Sequence, residues 1–324
     1  MLLESYTYLV FVFALSLIGS VACMPLLIGY ARRNKLFDIP NLRSSHIQLV
    51  PRIGGVTFFI ALVVYMIQAR KEFDGYGLGF MVMGASLLFT IGLYDDVRSV
   101  RPLFKLGAQI MALLGIVGFY HDSIDRFRLH SVFELLPQSV FQVLVFCFFL
   151  VLINAINLMD GIDGLAALIS INFFSVMAIF FYRSNHHHFS ILSLVILGSI
   201  IAFLFFNFST RHKVFMGDCG SLLLGFLMCS VSLQLMDSSC CDPAMHDLSG
   251  NQLTYVFLAM FSLPVLDLIR VVVTRLANGK AVFQADRNHL HHIIIDKMGK
   301  SHAFTAGLLF VIHLSIILLA LFAI

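Results

Sequence analysis

The stretch FQVLVFCFFLVLINAINLMDGIDG, from Phe141 to Gly164, decides the fold of this chain. Its first part is almost wholly apolar, and with the residues before it reaches the roughly 20 residues that a helix needs to cross a bilayer core. It then ends in asparagines, aspartates and glycines, which are polar groups and turn formers. The stretch therefore predicts a transmembrane helix that carries polar chemistry at one end.

The same pattern recurs along the whole chain. Of its 324 residues, 59% are hydrophobic and 12% are charged, and the mean hydropathy of +0.93 excludes a soluble domain. We predict one all-α polytopic membrane domain over residues 1–324, with about ten spans and no cleaved signal peptide. The predicted spans are 6–29, 54–69, 78–94, 103–120, 139–158, 165–182, 190–208, 219–236, 252–273 and 303–323.

The basic residues indicate which loops face the cytoplasm. With ten spans the loops form two alternating sets, and one set holds 16 of the 21 Lys and Arg residues. Cytoplasmic loops are enriched in Lys and Arg, so this set is expected on the cytoplasmic side of a bacterial inner membrane. Both termini are then expected on the outer side. All the motifs described below lie in the basic set. A transporter would carry its ionisable residues near mid-membrane, whereas these lie at span ends, which favours an enzyme.

Two motifs of this face precede the decisive stretch. The first inner loop, from Asp38 to Gly55, holds Arg43, His46 and Arg52, which suit phosphate binding but also suit a simple positive anchor. The third span ends in Asp95 and Asp96. Two anions at the interface are expensive, so an oxygen-rich magnesium site is predicted there, with a solvated span end as the alternative.

The decisive stretch itself ends in Asn154, Asn157, Asp160 and Asp163, which suit nucleotide and metal contacts. Asp163 could instead cap the sixth span. The six cysteines form neither a disulfide framework nor a zinc spacing.

Two further motifs follow. Asn207, Phe215 and Asp218 lead into the eighth span, where a helix start favours anions and Phe215 offers a flat face for a base. Asp218 is predicted to bind Mg²⁺ or, alternatively, to cap this helix. The last inner loop reads ADRNHLHH from Ala285, and we favour phosphate recognition over zinc binding for its cationic and histidine residues, which are Arg287, His289, His291 and His292.

Together these motifs resemble those of the polyprenyl-phosphate N-acetylhexosamine-1-phosphate transferases. The ADRNHLHH segment looks most like the undecaprenyl-phosphate N-acetylglucosamine-1-phosphate transferases, with the phospho-N-acetylmuramoyl-pentapeptide transferases as the alternative subgroup. The chain departs from many relatives after Asn207, where Ser209 to His212 replace a Pro-Ala pair.

The resemblance implies roles for individual residues. Asp95 and Asp96 would form the acidic pair near the lipid phosphate, and Asp218 would be the principal ligand of Mg²⁺, with Mn²⁺ as an alternative. Phe215 would stack on uracil. The nucleotide side would be formed by Asn157, Asp160 and Asp163, and the diphosphate or sugar would be contacted by Arg287, His289, His291 and His292.

The resemblance also implies a reaction and its partners. An oxygen of undecaprenyl phosphate would attack the β-phosphorus of a UDP-N-acetylhexosamine and release UMP, in the first membrane step of a cell-envelope polysaccharide such as the O-antigen of lipopolysaccharide. Membrane lipid and a possible second copy of the chain are further expected partners, and nucleic acid is not. A transporter and a metal hydrolase remain as alternatives.

Because a phosphomonoester is largely ionised at neutral pH, we expect the acidic pair to organise metal and lipid rather than to act as a base.

Overall fold

The structure, a computed structural model, describes residues 2–34, 36–37, 49–69, 77–241, 250–279 and 288–322. In that part of the chain the regular structure is helical, apart from an isolated bridge between Arg52 and Phe215. The helices are α1 (Leu2–Arg33), α2 (Gly55–Ala69), α3 (Leu78–Val97), α4 (Pro102–Phe119), α5 (His121–Leu129), α6 (Gln138–Met159), α7 (Leu165–Arg183), α8 (His187–Asn207), α9 (Gly217–Cys241), α10 (Gly250–Ala277), α11 (Leu290–Met298) and α12 (His302–Phe322).

The prediction of an all-α polytopic membrane protein is confirmed. Nine of the helices in the described ranges are long and apolar enough to cross a membrane. Each of the ten predicted spans coincides with a helix, but α2 has only 15 residues. At 1.5 Å per residue it is about 22 Å long, which is shorter than a typical hydrocarbon core of about 30 Å. The short helices α5 and α11 were not predicted, because neither is long enough to produce a span signal.

Helix α9 forms the centre of the bundle, and its apolar part within Gly217–Asp237 is buried. Small residues let its neighbours approach closely at its first turn. A Cβ atom on Gly55 of α2 would lie 2.2 Å from the Cα of Gly220, and one on Gly92 of α3 would lie 2.5 Å from the Cα of Cys219. Since membrane helices associate mainly through close packing and polar contacts, these glycines fix α2 and α3 against the start of α9.

The bundle has two polar ends with different contents. One end joins the end of α3, the α6–α7 connection and the starts of α9 and α12, and every predicted motif in the described residues lies there. The opposite end holds α5, whose Arg126 pairs with Asp237 of α9 at 2.9 Å. Tyr6 of α1 meets Tyr182 at this opposite end, with ring centroids 4.9 Å apart. The fold therefore gathers the motifs from separate loops into one region.

Helix α10 contains a proline whose effect on the backbone is compensated by a buried histidine. Pro264 has no N–H, so the carbonyl of Met260 loses its helical donor. His313 of α12 lies with its Nε2 atom 2.9 Å from that carbonyl oxygen, and its Nδ1 atom is 3.2 Å from the side-chain amide of Asn172. These contacts tie α10 to α12 and α7 just before the turn that carries Asp267.

Candidate active site

The first turn of α9 holds a carboxylate of the protein itself. The backbone N–H groups of Asp218 and Cys219 donate to the two oxygens of Asp96, at 2.9 and 3.0 Å. The sequence predicts an anion at this helix start, because a helix N-terminus favours negative charge of any source. In the structure that anion is the carboxylate of Asp96. Gly217 makes the approach possible: its φ is +77°, and a Cβ atom there would lie 2.5 Å from the Oδ2 atom of Asp96.

A lysine from α4 joins two of the predicted acidic residues. The Nζ atom of Lys105 lies 2.9 Å from the Oδ2 atom of Asp95 and also contacts the Oδ2 atom of Asp218. The other oxygen of Asp95 accepts the backbone N–H of Val100 at 2.6 Å. The structure thus brings Asp95 of α3 and Asp218, the predicted metal ligand of α9, to a single half-buried ammonium group.

Asp160 adds a further carboxyl group to this region, immediately after α6 ends. Burial and the charges of Asp218 and Asp96 raise the pKa of Asp160 well above its usual range, while Arg52 acts in the opposite direction. The carboxylates of three separate elements therefore lie close enough to repel one another. Additional positive charge bound here would relieve that repulsion.

The donor set fits Mg²⁺ that is shared with a substrate. In the ranges that the structure describes, no three His, Cys, Asp or Glu side chains form a group that could hold a metal ion by themselves. Mg²⁺ does not need such a cage, because it is commonly held by one or two carboxylates and completes its shell with water and substrate phosphates. Asp95 and Asp218, which share the Lys105 ammonium, provide such a pair. The role of Asp218 as a metal ligand remains a prediction.

Asp163 lies in an ion pair rather than at a helix cap. Gly164, in the left-handed conformation, precedes α7 without any side-chain cap. Asp163 instead accepts a hydrogen bond from Lys213 at 2.6 Å and lies 3.5 Å from a ring nitrogen of His302. Burial acts to raise the pKa of Asp163, but the hydrogen bonds from His302 and Lys213 outweigh it and lower the pKa. Lys213 also lies 5.6 Å from the ring centroid of Phe215, so it connects two of the predicted site residues.

The three predicted asparagines make contacts between structural elements. Asn157 donates to the hydroxyl of Ser221 on α9 at 2.8 Å. Asn154 exchanges two amide hydrogen bonds with Gln109 of α4, at 2.7 and 3.3 Å. Asn207 is buried and donates to a backbone carbonyl of the loop that follows it, at 2.8 Å. These contacts hold α4, α6 and α9 in register, and substrate contact by the three amides stays a prediction.

The histidine motif lies beside the connection between α6 and α7. A Cβ atom on Gly161 would be 3.0 Å from the Nε2 atom of His291, so α11 reaches the loop that carries Asp160. Burial, together with His292 and His289, lowers the pKa of His291 to about 3, so its ring is neutral at physiological pH. Arg52 lies at the same end, bridged to Phe215. Arg43, His46 and Arg287 lie outside the described residues.

Residues 78–236 match glycosyl transferase family 4, and this range includes α3 to α8 and most of α9. The chain is similar to this family over these residues. The resemblance drawn from the motifs is therefore confirmed, and the matched range contains the Asp95–Asp96 pair and Asp218. The family 4 match also contains Lys105, which joins them.

Individual relatives extend the similarity beyond the family 4 range. The chain is 29% identical over 268 residues to the undecaprenyl-phosphate alpha-N-acetylglucosaminyl 1-phosphate transferase of Yersinia pestis, covering 80% of this chain and 69% of the relative. It is 29% identical over 320 residues to a probable undecaprenyl-phosphate N-acetylglucosaminyl 1-phosphate transferase of Bacillus subtilis, covering 96% and 84%. It is 28% identical over 296 residues to the decaprenyl-phosphate N-acetylglucosaminephosphotransferase of Mycobacterium leprae, covering 84% and 73%.

Two residues of the site were missed in the sequence, although a signal was present for each. Lys105 is the only charged residue in the predicted span 103–120, and it was counted only as part of the basic loop set. Asp267 is the only acidic residue in the predicted span 252–273. An ionisable residue inside a span is by default a functional candidate, so each of these two positions was recognisable.

Proposed function

We propose that this chain transfers N-acetylglucosamine-1-phosphate from UDP-N-acetylglucosamine to undecaprenyl phosphate, with Mg²⁺, at the cytoplasmic side of a bacterial inner membrane. The observation that carries the proposal is the contact of Lys105 with both Asp95 and Asp218, at the end of the bundle where the motifs converge. The names of the relatives support the choice of sugar and lipid. The distribution of basic residues supports the cytoplasmic side, because 16 of the 21 lie in the set of loops predicted for that side.

The proposed reaction exchanges one phosphoanhydride for another. A lipid phosphate oxygen attacks the β-phosphorus of the UDP-sugar, the bond between that phosphorus and the bridging oxygen breaks, and UMP leaves with the bridging oxygen. Two anions must meet, so positioning and charge neutralisation supply most of the catalysis. Bound Mg²⁺ would supply additional positive charge to the diphosphate.

The side chains around Lys105 and the motif residues have different roles in this reaction. Lys105 can exchange a carboxylate partner for a phosphate oxygen without moving its backbone, because ammonium groups bind either anion. Asp96 has both oxygens occupied by N–H groups of α9, which fixes its position and favours an organising role. Phe215, beside Lys213, offers the flat face on which a uracil ring would stack.

A transfer assay with the purified full-length protein tests the proposal. Labelled UDP-N-acetylglucosamine and undecaprenyl phosphate should give a labelled lipid and UMP, and omission of the lipid phosphate should abolish both products. Parallel reactions with UDP-N-acetylgalactosamine and with UDP-N-acetylmuramoyl-pentapeptide test the sugar. Release of sugar phosphate without lipid would instead indicate a hydrolase, and transfer of only the pentapeptide substrate would assign the alternative subgroup.

The proposed orientation has its own test. Single cysteines or short tags placed in loops 98–102 and 278–284 should be accessible only from the cytoplasm. Tags in loops 121–138 and 237–251 should be accessible from outside. A cytoplasmic signal from loop 121–138 would contradict the assignment of the site to the inner face.

A further inference from the structure

Asp267 of α10 is a buried carboxylate whose two oxygens are both used to hold the start of the histidine motif. Only 2% of its side chain is exposed. Its Oδ2 atom is 2.9 Å from the Nδ1 atom of His289, and its Oδ1 atom accepts the backbone N–H of Leu290 at 3.0 Å and a guanidinium N–H of Arg270 at 2.7 Å. Arg270 also donates to the backbone carbonyl of Asn288. One carboxylate thus fixes both the ring of His289 and the chain that leads into α11.

The contact with Asp267 determines which nitrogen of His289 remains for a ligand. A carboxylate can accept a hydrogen bond but cannot donate one, so Nδ1 must be the nitrogen that carries the hydrogen. In the neutral ring Nε2 is then the nitrogen without a hydrogen. The Nε2 atom is buried and has no hydrogen-bond partner among the described residues. The His289 ring is stacked on that of His291 with an interplanar angle of 11° and centroids 5.7 Å apart, and His291 in turn reaches Gly161.

A buried nitrogen without a partner is unfavourable, which points to a ligand that completes it. In the neutral ring Nε2 accepts a hydrogen bond, and after protonation it donates one, which suits an anionic oxygen. The titratable and charged groups around the ring are Asp267 and Arg270 of α10 and His291 and His292 of α11.

We propose that Asp267 is a positioning residue for the transfer reaction: it holds the Nδ1 side of His289 and so directs Nε2 toward the diphosphate of the nucleotide sugar. This inference rests on the proposed function, since the diphosphate is the anion concerned. The competing explanation is that Asp267 only caps α11 through Leu290. The two explanations differ in whether the effect of Asp267 requires the His289 side chain.

A double-mutant cycle with Asp267→Asn and His289→Gln separates them in the full-length protein. If Asp267 acts through His289, Asp267→Asn should raise the KM for UDP-N-acetylglucosamine by about tenfold to a hundredfold, the loss expected for one hydrogen bond to a charged group. The double variant should be no worse than His289→Gln alone.

Asp125→Asn is the matched control, because Asp125 pairs with Arg128 at the same i,i+3 spacing but at the opposite end of the bundle. Its KM should equal that of the unmodified protein. An effect of Asp267→Asn that persists in full in the His289→Gln background would overturn the proposal in favour of simple capping. If Asp267→Asn does not fold, Asp267→Glu enters the same cycle, because its charge is retained and only the contact geometry changes.

A spectroscopic measurement decides the tautomer without any activity. Nitrogen NMR of protein labelled at histidine, with the His289 signals assigned by their loss in His289→Gln, should show a hydrogen on Nδ1 in the unmodified protein and a changed tautomer in Asp267→Asn. Identical His289 signals in both proteins would overturn the proposal. If the unmodified protein transfers no sugar phosphate, the proposed function fails, while this measurement still reports on Asp267.

Discussion

The Nζ atom of Lys105 contacts a carboxylate oxygen of Asp218, although 113 positions separate the two residues in the chain. The same ammonium group pairs with Asp95, so it is the common cation of a cluster rich in carboxylates. The cluster lies at the end of the bundle that carries the predicted motifs. Its function therefore depends on the balance between this ammonium group and the carboxylates around it.

Replacing Lys105 with Met tests that balance, because methionine retains an unbranched apolar stem and removes the charge. We expect Lys105→Met to lower kcat/KM for sugar-phosphate transfer by about a hundredfold or more, since unpaired carboxylates would repel the phosphates. Lys300→Met, an exposed lysine at the same end, is the control and should keep normal transfer. Normal kcat/KM in folded Lys105→Met would show that its ammonium group is not needed.

Asp218→Asn tests the predicted metal site, because an amide oxygen is an uncharged and weaker ligand of similar size. Chelation of Mg²⁺ should abolish transfer by the unmodified protein, and re-addition should restore it. Asp218→Asn should need at least about tenfold more Mg²⁺ for half-maximal rate, the change that loss of about 1.4 kcal/mol of binding produces. Asp237→Asn, on the same helix at the opposite end, is the control. An unchanged Mg²⁺ requirement in Asp218→Asn would remove that residue from the metal site.

Gly217→Ala tests the approach of Asp96 to the first turn of α9. The left-handed φ of +77° disfavours any residue with a Cβ atom by about 1–2 kcal/mol, and this Cβ would also collide with the Asp96 carboxylate. We expect kcat to fall by about tenfold or more, because small displacements at a reacting centre are costly. Gly118→Ala on α4 places its methyl group in open space and should leave transfer unchanged. Equal rates for both variants would show that the position of Asp96 is unimportant.

The sequence predicted the helices well because hydrophobic length is a local property. Each predicted span coincides with a helix. The alternation of the spans was sufficient to predict that the motif loops lie on one side of the membrane. The partners of the motif residues were not predictable in the same way. That Asp96 rather than a substrate accepts the first N–H groups of α9 depends on Gly92 packing against Cys219, a contact between residues far apart in the chain.

The errors of emphasis have a common physical cause. Lys105 and Asp267 lie within apolar helices, whereas the recognised motifs lie in loops and at the ends of helices. Their partners, Asp218 and His289, belong to motifs that were found, at sequence separations of 113 and 22 residues. A lone charge in a span must have a partner or a function, so these residues were detectable even though their partners were not.

The neutral state of His291 predicts a loss of stability in acid. Its pKa is about 3 in the folded protein against an ordinary value of 6.5, so the unfolded chain binds more protons between these values. The free energy of unfolding therefore rises as the pH rises through this window. In the other direction, the protein loses stability as the pH falls below about 6.5. His291→Gln should lose less thermal stability than the unmodified protein between about pH 7 and pH 5, measured by size-exclusion thermostability in detergent. His187→Gln, exposed at the other end, should follow the unmodified protein, and identical losses in all three would contradict the prediction.

The last prediction concerns whether the acidic pair removes a proton from the lipid phosphate. Both oxygens of Asp96 accept N–H groups of α9, and both oxygens of Asp95 accept hydrogen bonds from Val100 and Lys105. A phosphomonoester with a second pKa of about 6 is already largely ionised at neutral pH, so it needs little help from a base. The geometry and the chemistry therefore both favour an organising role for the pair.

Asp96→Asn and Asp95→Asn, assayed from about pH 6 to pH 9, distinguish the two roles. If either residue is a base, its Asn variant should recover activity as the lipid phosphate ionises without help, and should rise more steeply with pH than the unmodified protein. If the pair organises the cluster, the Asn variants lack the negative charge at every pH, and raising the pH should not restore their activity. We expect both Asn variants to stay at least about a hundredfold below the unmodified protein across the range, the size of effect that loss of a positioned charged group produces. Recovery that tracks phosphate ionisation in either variant would assign that residue as the base.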